Sequence, residues 1–317
     1  MEEWLRLDWG APDGWNGFEV KWRSEFLILR DHVLHPLLAS LLPWRWTLRY
    51  AHWLSGKPSR LSDHGERSRA AAEPVLGRIA DAAFARRALW VRLLDVIDAP
   101  VSLFGADRHL RRHWRVTGQW PKEPCLAVSL HHGNGLFALR DLQRAGHRAQ
   151  LIAQSIDPQW FRGRPITLAM TRLRFWCVER MMQAPVIYSG GARKRSLDAI
   201  AAGGSIVAVL DNPQGLHRGV APVALFGRRV ALHTGIVELA LGAGLPVVPY
   251  LTEVGDGSMR TLHVGPAIRA ASAQAVCAAL ETWFAPLVGS DPPAWHLWPQ
   301  LQEFEQSVAA VLPELPV

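Results

Sequence analysis

Cys125-Leu-Ala-Val-Ser-Leu-His131-His132-Gly133-Asn134-Gly135 decides how this chain is read. An uncharged, apolar run long enough for a buried strand passes into a glycine-rich turn, and a helical period follows. The unit recurs downstream. Gln150–Gln154, Pro185–Tyr188, Ser205–Leu210, Pro246–Leu251 and Thr261–Val264 are further strand candidates. Between them, 134–146, 165–182, 191–203 and 232–244 carry helical periods. Strands alternating with helices predict an α/β fold with a mostly parallel central sheet flanked by helices. Residues 25–118 predict a helical N-terminal region, with breaks at Pro36 and Pro43. Residues 271–287 and 299–311 predict a helical C-terminal tail. No linker divides the chain. It reads as a single domain over 1–317: a Trp-rich arm and helices over 1–120, the α/β core over 121–270 and the tail over 271–317.

The chain of 317 residues is 49% hydrophobic and 20% charged, which excludes a disordered or low-complexity protein. Cys125, Cys177 and Cys277 are too scattered for a disulfide framework or a zinc site, so a reduced, intracellular setting is expected. The longest apolar run near the start, 33–44, contains His35, Pro36 and Pro43 and falls short of the about 20 residues of a spanning helix. The segment beginning at Pro43 puts Trp46, Tyr50 and Trp53 on one helical face. That face is either a core stripe or a membrane-surface stripe of aromatics among basic residues. The net charge of +7 concentrates in 161–195, where Arg162, Arg164, Arg172, Arg174, Arg180, Arg193, Lys194 and Arg195 face Glu179 alone. Such a stretch attracts acidic partners. Nucleic acid is not expected, because no recognition motif is present and the arginines fall inside the α/β core.

Four places could carry chemistry, one of them Ala224-Leu225-Phe226-Gly227-Arg228-Arg229. His131 and His132 follow a strand at the edge where open α/β sheets bind ligands, and an imidazole there can act as a general base. It can equally be a residue that only ends the strand. Tyr188-Ser189-Gly190-Gly191-Ala192-Arg193-Lys194-Arg195 reads as a strand, a small-residue turn and a basic helix start, suited to an anion. Asp211 ends the strand 205–210 at the same sheet edge as His131, where it can orient an imidazole, hold an acceptor hydroxyl or begin a turn.

In order, the chain shows His-x-Gly-Asn (His131 to Asn134), Arg-x-Arg-Phe (Arg172, Arg174, Phe175), a Gly-Gly-x-Ile-Val strand ending in Asp211, Phe226-Gly227, Thr234-Gly235 with an Ala-rich helix, and Pro246-Val-Val-Pro249. This series resembles the late acyltransferases of lipid A biosynthesis, the lauroyl and myristoyl transferases, within the lysophospholipid acyltransferase-like superfamily. LLPWRWTLRYAHWLSG (41–56) and SDPPAWHLW (290–298) are similar to the family's early and closing segments, so the resemblance spans roughly residues 35–300. It implies a cytoplasmic enzyme, peripheral on the inner membrane face. Acyl carrier protein or coenzyme A would supply the acyl thioester, and no metal or other cofactor would be needed. The acceptor would be a lipid or small molecule. His131 would be the general base, His132 and Asp211 would assist, and Asn134, Arg172, Arg174, Arg193, Arg195, Phe226 and Gly227 would contact substrate or carrier.

One position departs from that family. Its histidine is followed five residues later by a carboxylate that orients it, and here that position is Leu136. Asp141 lies five residues further, about 7.5 Å along a helix and on another face, and does not fit. Three readings stay open. Asp211 replaces the carboxylate. Alternatively, His131 works unaided on a more reactive acceptor, such as a thiol, amine or phenol of specialised metabolism. In the third reading the chain is a catalytically silent relative that binds acyl chains or carrier protein.

Overall fold

A computed structural model describes residues 22–57, 62–212, 219–255 and 259–311. The Trp-rich arm up to Lys21, and Pro213 to Gly215 after the Asp211 strand, lie outside the described residues. The expected α/β class is present. Seven strands form one sheet in the order β1-β9-β8-β2-β5-β3-β4, where β1 is Trp114–Thr117, β2 Leu126–Ser129, β3 Ala149–Ala153, β4 Ile187–Tyr188, β5 Ser205–Val209, β8 Val247–Val254 and β9 Arg260–Val264. The strands from β8 to β4 run parallel; β9 pairs antiparallel to β8, and β1 runs parallel to β9.

Both faces of the central strands are covered, so β2 is buried throughout and reads as a continuous apolar run rather than an alternating one. Leu126 and Val128 point to one core and Ala127 to the other. Helices are numbered in chain order: α1 Trp22–Leu29, α2 His35–Leu41, α3 Trp44–Ser55, α4 Ser62–Leu76, α5 Ala82–Leu103, α6 Ala106–His113, α7 Leu136–Arg144, α8 Pro165–Met182, α9 Ala192–Ala201, α10 Gly235–Gly242, α11 Ala273–Ser290 and α12 Leu301–Val311. Residues of α7 and α8 cover one face, and residues of α11 and α12 cover the other.

The N-terminal helices are tied to this core. Pro36 has no N–H to donate, and the chain takes one π turn, Arg30–Leu34, just before it. Pro43 then ends α2 and starts α3, as the sequence predicts. Glu25 on α1 is fully buried and accepts the backbone N–H groups of Ile166 (2.7 Å) and Thr167 (3.1 Å) and the Thr167 hydroxyl (2.6 Å). A carboxylate thereby caps the otherwise unpaired donors at the start of α8, where the helix dipole favours negative charge.

Two expectations fail locally. Residues 232–244 were expected to be one helix, but Arg228–His233 is a strand, β7, and α10 starts only at Gly235. β7 pairs antiparallel with β6, Val220–Leu225, in a separate hairpin. Its turn needs left-handed backbone at both central residues, and Phe226 (φ 56°) and Gly227 (φ 72°) supply it. The basic segment before Val116 was read as helical throughout, yet Trp114–Thr117 leaves α6 to pair with β9.

Candidate active site

The β2–β5 register places Ser129 beside Val209. Continued by two residues, it sets His131 beside Asp211 at the carboxyl edge of the sheet. The side chains meet there. His131 Nδ1 lies 2.9 Å from Asp211 Oδ1, and the His131 backbone N–H donates to the same carboxylate at 2.9 Å. Trp295 Nε1 donates to Asp211 Oδ2 at 2.8 Å. Asp211 is fully buried, whereas the His131 side chain keeps 31% of its surface exposed. The carboxylate thus accepts Nδ1–H, which leaves Nε2 as the basic nitrogen of the ring. A buried acceptor, a half-exposed imidazole and a fixed tautomer are what a general-base pair requires.

The closing segment 291–298 frames this pair. His296 donates its backbone N–H to the His131 carbonyl (2.8 Å), and its Nε2 meets the Gly133 carbonyl at 2.6 Å. The Gly133 N–H donates to the Ala294 carbonyl at 2.9 Å. Arg87 on α5 fastens the segment from behind through Asp291, at 2.6 and 3.2 Å. Gly133 is required by both conformation and space: its φ is +65°, and a Cβ there would sit 2.2 Å from the Thr252 carbonyl.

The other expected residues separate into distinct roles. His132 turns inward: it is buried, with Nδ1 and Nε2 each 3.3 Å from a backbone carbonyl, of Thr252 and Asp291. Burial lowers its pKa, and both ring nitrogens approach these backbone carbonyls, a setting that suits support of the loop. Asn134 is also fully buried. Its backbone N–H donates to Thr252 Oγ1 (2.9 Å) and its amide to Asp98 Oδ2 (2.7 Å), so it anchors the loop. Phe226 and Gly227 make the hairpin turn, and the Phe226 ring packs on Trp298 and Trp295 at 4.5 and 5.6 Å. Phe226 reaches the site through Trp295.

Three arginines of the basic stretch 161–195 already have partners within the chain. Arg164 approaches Glu25 at 3.9 Å. Arg174 pairs with Asp95 at 2.8 Å; burial drives that carboxyl up, but Arg174 and Arg92 outweigh it and hold it at about 2. Arg195 donates to the carbonyls of Gly190 (2.7 Å) and Tyr188, closing its own turn. Arg172 and Arg193 remain exposed on α8 and α9. The anion role expected for Arg174 and Arg195 therefore competes with contacts they already make. A separate groove lined by Ser102, Asp107, Arg111, Arg140, Trp176 and Arg180 shares no residue with the His131 pair.

Sequence reading missed the supports behind the loop. Asp98 on α5 is fully buried, pairs with Arg260 at 2.5 Å and accepts from Asn134; burial, against the pull of Arg260, pushes its carboxyl up to about 6. Arg260 stacks over Trp44 (4.7 Å) and Trp114 (5.5 Å). The available signal was Asp95 and Asp98, one helical turn apart inside an otherwise apolar run.

Leu136, where the resembled family has its carboxylate, is the first residue of α7 and is buried among Phe137, Leu139 and Val178. Leu136→Glu is expected to lower stability by about 2 kcal/mol, which urea unfolding checks.

Searches against protein-family models and against curated proteins find no match to this chain. Among the described residues, no group of three or more histidine, cysteine, aspartate or glutamate side chains is placed to hold a metal ion.

Proposed function

We propose that this protein transfers an acyl chain from a thioester, carried by acyl carrier protein or coenzyme A, to an acceptor hydroxyl. The observation that carries this reading is the contact between His131 Nδ1 and the buried Asp211 carboxylate. The motif order that resembles the lipid A acyltransferases supports the thioester donor.

The steps follow from that pair. Asp211 fixes the tautomer, so His131 Nε2 takes the acceptor proton as the hydroxyl oxygen attacks the thioester carbonyl. The C–S bond then breaks, and the imidazolium returns its proton to the departing thiolate. Ester and free thiol are the products, and the histidine is restored. Losing the orienting carboxylate of such a pair costs about 10⁴ in rate. With Asp211 in place that deficit does not arise, so an unusually acidic acceptor is not needed and an ordinary hydroxyl suffices. The silent-relative reading gains no support from this geometry, because a protein that only binds acyl chains has no need of an oriented base.

The test is mass spectrometry of acyl-carrier-protein and acyl-coenzyme A thioesters incubated with protein and a hydroxyl acceptor. Wild type is expected to consume thioester and form ester, and His131→Ala to lose this by a factor of about 10³ or more. Equal turnover by the two would refute the assignment of the base.

A further inference from the structure

We propose that the groove between the end of α5, α6 and α8 binds a nucleoside polyphosphate, an inference independent of the acyl-transfer reading. The groove has a volume of about 980 Å³, the size of a small-molecule site. Four arginines line it, Arg108, Arg111, Arg140 and Arg180, against two carboxylates, Asp107 and Glu179. Both carboxylates are committed to the wall. Arg140 holds Asp107 in a two-pronged pair, 2.9 Å at each oxygen, and Glu179 accepts the Val186 N–H at 3.1 Å. Arg108 and Arg111 lie three residues apart on one face of α6, and both are exposed. Among the described residues, neither makes a hydrogen bond or an ion pair. Their charge is left for a ligand.

Charge alone would suit any anion, and Trp176 narrows the class. It lines the groove with 45% of its surface exposed, and the Arg180 guanidinium lies over its ring at 5.4 Å. The core contacts of this part of α8 come from Cys177, Val178, Met181 and Met182, so Trp176 is not needed there. An indole paired with a guanidinium is a flat, cationic surface on which a nucleobase stacks. The phosphate chain of the same ligand would be met by Arg108 and Arg111, whose planar forks match phosphate oxygens. A folded acidic protein fits less well, because it needs a broad patch of about 800 Å² and would leave the concave interior unfilled. The groove is also set apart from the candidate active site. Pro185 on its wall leads into β4, which starts at the edge of the parallel strands opposite the one that carries His131. A nucleotide held here would therefore be a second ligand, distinct from the acyl thioester.

Isothermal titration calorimetry of the full chain tests the proposal, with ATP, adenosine and inorganic tripolyphosphate as probes. ATP is expected to bind at one site per chain, and adenosine and tripolyphosphate each roughly tenfold more weakly or worse, because each lacks one of the two recognised parts. Trp176→Ala should weaken ATP about tenfold and leave tripolyphosphate unchanged, and Trp176→Phe should keep most of the ATP affinity. Arg108→Glu combined with Arg111→Glu should weaken ATP and tripolyphosphate alike, by about tenfold or more. These side chains are exposed, so unchanged thermal unfolding midpoints should accompany the losses. No binding of ATP at millimolar concentration would overturn the proposal. So would tripolyphosphate binding as tightly as ATP, which would mark a bare anion site, or ATP binding that the tryptophan and arginine substitutions leave intact.

Discussion

Asp211→Asn is expected to lower the single-turnover rate of acyl transfer to a hydroxyl by about 10⁴. The carboxylate accepts from His131 Nδ1, the His131 backbone N–H and Trp295 Nε1. An asparagine keeps one acceptor oxygen but turns an NH₂ toward one of these donors. The ring then loses the partner that fixes Nε2 as its base. The same mismatch should destabilise the fold by about 1–3 kcal/mol, because a buried donor is left unpaired. The assay must therefore be run where unfolding curves show the variant folded. The loss should appear in the rate of the chemical step rather than in the substrate concentration needed to saturate. His131→Ala with Asp211→Asn should be little worse than either alone, because the two residues act as a unit. A variant within tenfold of wild type would mean that Asp211 is only structural.

Trp295→Ala is expected to cost about 3–5 kcal/mol in stability, the range for deleting a large buried aromatic. Trp295 is fully buried against Trp298 (5.3 Å), Phe226 (5.6 Å) and Phe304 (5.8 Å), and it joins the hairpin, the C-terminal helix and the His131 loop. Trp295→Phe separates its two roles. It keeps most of the ring volume but removes the N–H that Asp211 accepts. Its stability cost should be no more than about 2 kcal/mol, with a loss of turnover larger than its folding defect explains. Urea unfolding and single-turnover rates on the two variants check this. A Phe variant with wild-type turnover would show that the indole N–H does not position the carboxylate.

Much of the fold is legible in the apolar runs, because a strand covered on both faces leaves little else for its residues to be. Cys125–Leu130 and Ser205–Leu210 are clear for that reason. Their adjacency is not legible: β5 inserts between β2 and β3, which follow one another in sequence, and only the assembled register sets Asp211 beside His131. The sequence therefore leaves replacement by Asp211 as one of three readings of the carboxylate missing at Leu136, and the assembled sheet puts Asp211 in contact with His131. The β6–β7 hairpin was hidden by Pro222, which argues against a central strand but is tolerated in an isolated two-stranded ribbon. The burial of His132 and Asn134 is not legible either. Their buried partners, Thr252, Asp291 and Asp98, come from distant elements. The partners of Arg164 and Arg174, the carboxylates of Glu25 and Asp95, lie on α1 and α5 and are not legible from the stretch 161–195 itself.

Ester formation from a defined acyl thioester in a single turnover, with wild type beside Asp211→Asn, tests the central claim most directly. Ester is expected from wild type, at a rate about 10⁴ higher than in the variant. Thioester left intact by folded wild type with every hydroxyl acceptor, or equal rates in the two proteins, would contradict it.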